Sequence, residues 1–77
     1  MGTTTIVAEA AEKIIERLDT LYGSNWRFSL FCINKAISQL VNESELTAEM
    51  AVSDYDALTG EVEAEWHRRK EQRRATR

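Results

Sequence analysis

Apolar side chains recur at three- and four-residue steps along most of this chain, in three blocks. The first block runs through Ile6, Val7, Ala11, Ile14, Leu18 and Leu21, and Ile15 and Tyr22 widen it. Glu9, Glu12, Lys13, Glu16 and Asp19 occupy the opposite side. This spacing predicts an amphipathic helix over 7–22. Thr3, Thr4 or Thr5 supplies its N-cap, and Gly23 ends it, because glycine enters the left-handed conformation at little cost.

The second block, 25–41, is the densest in large apolar residues, and the rest of the fold is expected to assemble on it. At 100° per residue, Trp26, Leu30, Ile33, Ala36, Ile37, Leu40 and Val41 share one arc, with Cys32 at its edge. Arg27, Asn34, Lys35, Ser38 and Gln39 fill the other side. The prediction is a helix over 25–42, capped by Ser24 or Asn25 and ended by the polar stretch 42–44. So short a connection makes the first two helices an antiparallel hairpin. Phe28 and Phe31 project from the polar half. Either another element covers them, or they form an exposed aromatic patch for a partner.

In the third block Tyr55, Leu58, Val62 and Trp66 form a stripe, which Ala48, Ala51 and Val52 extend backwards. Leu46 and Met50 fall off that stripe. Ser53 followed by Asp56 resembles a capping box. Two readings stand: one long helix from about Thr47, or a short helix and a fresh start near Asp54. Gly60 lies inside the helix, at a cost of about 1 kcal/mol relative to Ala. Beyond Trp66 the stripe stops, and Arg69 and Arg73 continue its face. A helix over 54–75 is about 33 Å long at 1.5 Å per residue, so its end should leave the core.

The expected fold is therefore all-α: a small three-helix domain, an antiparallel helical hairpin with a long C-terminal helix across it. Residues 1–5 are read as a flexible start, 6–66 as the helical domain and 67–77 as a basic helical extension or tail. Trp26, Leu30, Ile33, Ile37 and Leu40 should meet Ile14, Leu18, Leu21, Tyr22, Leu58 and Val62. With 77 residues the core is small, and association is a reasonable source of further stability. Cys32 is the single cysteine and reads as a packed thiol. No proline interrupts the helices. The sequence has no membrane-spanning run and no signal-peptide pattern, so a cytoplasmic location and no membrane partner are expected.

Charge sharpens the picture. The net charge is only −3, yet it is divided into blocks. No Lys or Arg lies between Lys35 and His67, a span that carries Glu43, Glu45, Glu49, Asp54, Asp56, Glu61, Glu63 and Glu65. Arg68, Arg69, Lys70, Arg73, Arg74 and Arg77 follow. An acidic start and a basic end suit the dipole of the last helix, and Glu65 with Arg69 is a favourable i,i+4 pair. The same pattern supports two functional readings. The acidic block can meet a basic partner surface, and the arginines can meet nucleic-acid phosphates with a steep salt dependence.

Candidate chemistry is sparse. His67 is the single histidine, and Glu63, His67 and Glu71 share a helix face. That face reads as solvated rather than as a metal site. The chain has no phosphate-binding glycine loop, no HExxH and no CxxC. No enzyme activity, cofactor or metal is expected. Trp66 reads as a core anchor, with an interface hot spot or stacking platform as the other role.

The stretch IIERLDTL, Ile14 to Leu21, resembles the first helix of ribbon-helix-helix repressors and antitoxins. NKAISQLV, Asn34 to Val41, is similar to their second helix. The resemblance covers about a third of the chain. It implies a dimer that places paired N-terminal strands, here residues 4–10, in the DNA major groove. That segment ends in Ala8-Glu9-Ala10 and carries no basic or amide side chain, and the interhelix loop is several residues short of the family's pattern.

The leading expectation is a small non-catalytic protein-binding regulator or inhibitor of a larger partner, itself a homodimer. In size and charge alone it compares with phage or mobile-element accessory proteins, anti-CRISPR inhibitors among them. Its binding residues are expected to be Phe28, Phe31, Glu43, Glu49, Asp54, Asp56, Glu61 and Glu65. The alternatives are a nucleic-acid-binding regulator that uses Arg68, Arg69, Lys70, Arg73, Arg74 and Arg77, and a structural assembly subunit.

Overall fold

A computed structural model describes residues 2–75, with side chains described for 6–72. Four helices follow in order: α1 Gly2–Tyr22, α2 Leu30–Asn42, α3 Ala48–Ser53 and α4 Tyr55–Ala75. No strand occurs among the described residues. The all-α hairpin with a long last helix is what the periodicity predicts. α1 begins at Gly2, so the segment 4–10 is helical and is not the strand that the ribbon-helix-helix resemblance implies.

α2 runs antiparallel to α1, and α4 returns parallel to α1. The second relation shows in Arg69 of α4 meeting Asp19 of α1, and in Glu61 and Ala11 lining the same groove further down. Ile14, Leu18, Ile33, Leu58 and Val62 are fully enclosed at the centre. Val7, Ala10, Ala11, Trp26, Ala36, Ile37, Leu40 and Leu46 complete the core. Removing such apolar surface from water is the main favourable term that holds the helices together.

Gly23 ends α1 as the pattern predicts. Its φ is +85°, and its N–H donates to the Asp19 carbonyl at 2.9 Å. The second helix, however, begins at Leu30 rather than Asn25. Ser29, with φ −153° and ψ 131°, is extended backbone. Two aromatics hold this segment out of helical geometry: Trp26 packs into the core, and Phe28 lies against Trp66 of α4. The late start corrects the core list. Leu30 stands in the first turn of α2 and is 53% exposed. Leu21 and Tyr22, also expected in the core, are partly exposed.

The third block folds as two helices, the second of the two readings. Thr47 caps α3 by accepting from the Met50 N–H at 3.1 Å, as a capping threonine does. The chain breaks at Asp54, φ −107°, whose carbonyl accepts from the Leu58 N–H at 2.8 Å to open α4. Leu46 is buried rather than pointing away. The turn before it folds back, with the Glu45 and Leu46 N–H groups both donating to the Leu40 carbonyl. Ser44 takes a positive φ of 64° to permit this. The tuck places Met50 and Ala51 against the core and turns Val52 outward, 78% exposed.

Candidate functional site

The structure separates Phe28 from Phe31. Phe28 is half-buried, with its ring 5.9 Å from that of Trp66. Trp66 is itself half-buried against the core, with the Lys70 ammonium 4.5 Å above its ring. Phe28 and Trp66 thus close the upper end of the bundle between the 26–29 segment and α4. Phe31 is 76% exposed in the first turn of α2.

Down the open side of α2, Phe31 is followed by Asn34, Lys35 and Ser38, all exposed, and by half-buried Val41. A shallow groove opens beside them between α2 and α3, lined by Ile37, Ser38, Val41, Asn42, Ala48, Ala51 and Val52. Its walls are mostly aliphatic. The Tyr55 hydroxyl donates to Asn34 Oδ1 at 2.6 Å, which ties the middle of this face to α4. Exposed apolar side chains clustered on one helix face mark a surface that can bury more area on contact. Periodicity put Leu30 in the core and placed Val41 and Val52 on apolar stripes, so their part in this surface was not foreseen.

The acidic block does not form one surface. Glu43 leaves it for a bidentate pair with Arg17 of α1, at 2.7 and 2.5 Å. That hydrogen bonding holds the Glu43 carboxyl below its usual range and raises the Arg17 guanidinium. Glu45 meets the Lys13 ammonium at 3.6 Å. Glu65 accepts from both Arg68 and Arg69, and their hydrogen bonds hold its carboxyl low. Glu61 lines the groove between α1 and α4 with Glu12, Glu16, Asp19, Arg68 and Arg69. Glu49 and Asp56 stand in the first turns of α3 and α4, where carboxylates complement the helix dipole. Asp54 sits at the junction between those helices.

The basic run is divided too. The Arg69 guanidinium donates to Asp19 at 2.8 Å and to Glu65 at 2.7 Å, and it stacks 5.6 Å from the Trp26 ring. Arg68 is paired with Glu65, and Lys70 covers Trp66. These three cations are used within the fold. The side chains of Arg73 and Arg74, and Arg77 as a whole, lie outside the described residues. His67 approaches Glu63 at 3.7 Å. No group of three His, Cys, Asp or Glu able to hold a metal occurs among the described residues. No helix there is long and apolar enough to cross a membrane.

At the upper end Tyr22 lies beside Cys32. Desolvation pushes the Tyr22 phenol above its usual value, and its hydrogen bond with Cys32 adds to the shift. The Cys32 thiol is half-buried between the hairpin helices, as a packed cysteine is expected to be. No protein-family profile, no curated protein and no solved structure matches this chain.

Proposed function

We propose that this chain is a small non-catalytic protein-binding module whose contact surface is the open face of α2 and the adjoining groove on α3. The observation that carries this reading is the exposure of Phe31 beside a Phe28 that is anchored. The two rings are three positions apart, and only one is used internally. An aromatic held on a rigid helix contributes contact area with little ordering cost, which is the usual character of an interface anchor. Leu30, Val41 and Val52 supply the aliphatic surroundings, and Lys35 and Glu49 supply a charged rim.

Glu43 and Glu65 act in this reading as internal partners of arginines. Of the acidic residues, Glu49 of α3 remains beside this face as a contact for a basic partner surface. The test compares wild type with Phe31→Ser as immobilised baits, after both are shown to melt alike. A protein retained by wild type and lost with Phe31→Ser is the expected outcome. Identical retention by both baits would remove this face from any binding role.

A further inference from the structure

We infer that α3 is a strap that opens by local unfolding, residues 47–54 melting away from α2 while α1, α2 and α4 stay folded. Its opening widens the groove on the proposed contact face. Only that consequence rests on the reading of the face as a binding surface; the motion itself does not. α3 differs from the other helices in how it is held. It has six residues, none of them buried, whereas each of the other three helices carries fully enclosed side chains. Met50 and Ala51 are half-buried, and Ala48, Glu49, Val52 and Ser53 are exposed. Among the described residues, no ion pair or side-chain hydrogen bond joins α3 to another helix. Its side-chain bond is the local Thr47 cap. A helix this short is not stable by itself in water, and the apolar area that Met50 and Ala51 remove from solvent is small.

The segment is pinned at both ends instead. Leu46 is buried, and its N–H donates to the Leu40 carbonyl at 3.2 Å. Tyr55 is tied to Asn34 by its 2.6 Å hydrogen bond. Leu58, about one turn further along α4, is fully enclosed. Both anchor points, Leu40 and Asn34, lie on α2, on either side of Ile37 in sequence. The stretch 47–54 between the pinned ends spans about 12 Å if helical and reaches about 27 Å when extended. The melted strap is therefore long enough to leave α2 without pulling on Leu46 or Tyr55. It takes with it Ala48, Ala51 and Val52, which line the groove from the α3 side. Ile37, which is buried while the other residues lining the groove are not, is then left open to solvent. A segment with so few buried contacts opens at a free energy below that of global unfolding.

Native-state hydrogen exchange of the full chain, followed residue by residue in low urea, is the test. The Ala51 and Asp54 amides donate to the Thr47 and Met50 carbonyls. They should be at least about 100-fold less protected than the amides of Leu18, Ile33 and Val62, with a smaller urea dependence. Ile33→Val trims the core at an enclosed position that stays packed when the strap opens. It should speed exchange of the core amides about fivefold and leave the α3 amides unchanged. Uncovering of the groove is read from an Ile37→Cys thiol in a Cys32→Ser background, whose protection against a thiol reagent should equal that of the α3 amides. Equal protection of α3 and core amides, or equal acceleration of both by Ile33→Val, overturns the local opening. An Ile37→Cys thiol as protected as the core amides overturns the uncovering. The first exchange measurement uses the unaltered chain, so it decides even where the cysteine variant does not fold. No partner enters these readouts: their failure leaves the contact role of Phe31 standing, and failure of that role leaves the strap.

Discussion

Asp19 and Arg69, fifty positions apart, meet at 2.8 Å, and the same carboxylate oxygen accepts the indole N–H of Trp26 at 2.7 Å. One side chain thereby fixes the end of α4, the segment after α1 and the parallel packing of α1 and α4. The ion pair is partly exposed and contributes little alone. The indole is different, because Trp26 is buried and an unsatisfied buried donor costs about 1–3 kcal/mol. Asp19→Ala should therefore destabilise the domain by about that amount in urea unfolding. Asp19→Asn keeps an acceptor for the indole and should cost less. Equal losses in both variants would show that charge rather than the indole acceptor governs.

Ile37 is buried against the core on α2, at the edge of the groove that it lines with Ser38. Ile37→Asp would bury a carboxylate with no partner, at a cost of several kcal/mol. That is comparable with the whole stability of a small domain, so the helical signal should be lost at room temperature. Leu58→Ala, at a fully enclosed position, should cost about 2–5 kcal/mol through lost transfer energy and a cavity. A wild-type melting curve for Ile37→Asp would show that the core is assigned to the wrong face.

Periodicity sufficed for the helices and for most of the core, because burial at three- and four-residue steps is written directly into residue order. Gly23 announced its own turn for the same local reason. Position 25–29 was illegible. Trp26 continues the helical arc of α2 by spacing, yet it is held by Asp19 before it and the core beneath it, and those contacts are tertiary. The error then moved Leu30 into the core and hid its part in the open face. Leu46 was missed because its burial depends on the backward turn at Ser44, a positive φ that no apolar pattern encodes. The basic run looked like a free tail because the partners of Arg69 lie on α1 and at Trp26, far away in sequence.

Gly60 and Gly23 should respond to Ala with opposite sign. Gly60 sits inside α4 with open space around its Cα, so Gly60→Ala should stabilise by about 1 kcal/mol from helix propensity. Gly23 also has open space, but its φ is +85°. A Cβ there clashes with its own backbone, and Gly23→Ala should cost about 1–2 kcal/mol. Thermal melts of the two variants check both signs at once. A stabilised Gly23→Ala would mean that the left-handed turn is not retained in solution.

Acid should weaken the domain through Glu43 and Glu65. Arg17 holds the first carboxyl low, and Arg68 and Arg69 hold the second low. A carboxyl whose folded value lies below its unfolded value stabilises the fold above the unfolded value. That contribution is lost as pH falls through the folded one. The melting temperature should thus be level from neutral pH to about 5 and decline below about 4.3, the ordinary glutamate value. Both ion pairs reach solvent, Glu43 more than Glu65, so the decline should be shallow and should shrink in high salt. Glu43→Gln with Glu65→Gln should flatten it. A decline unchanged in the double variant would assign the acid sensitivity to other carboxylates.

Nucleic-acid binding through the C-terminal cations is testable without disturbing the fold, provided Arg69 is left in place. Truncation after His67 would remove the clamp on Asp19 together with the tail, so loss of binding would be ambiguous. Replacing Arg73, Arg74 and Arg77 by Gln avoids this. Each phosphate contact contributes about 0.9 to the slope of log affinity against log salt on duplex DNA. With Arg68, Arg69 and Lys70 engaged internally, one phosphate contact from each of the other three arginines of the run would give a shallow slope of about −3. Fluorescence anisotropy with random duplex DNA should accordingly show weak binding that disappears by physiological salt and is absent in the triple variant. A slope near −6 would require the clamped cations to leave Glu65, Asp19 and Trp66, and α4 to be rebuilt on contact with DNA.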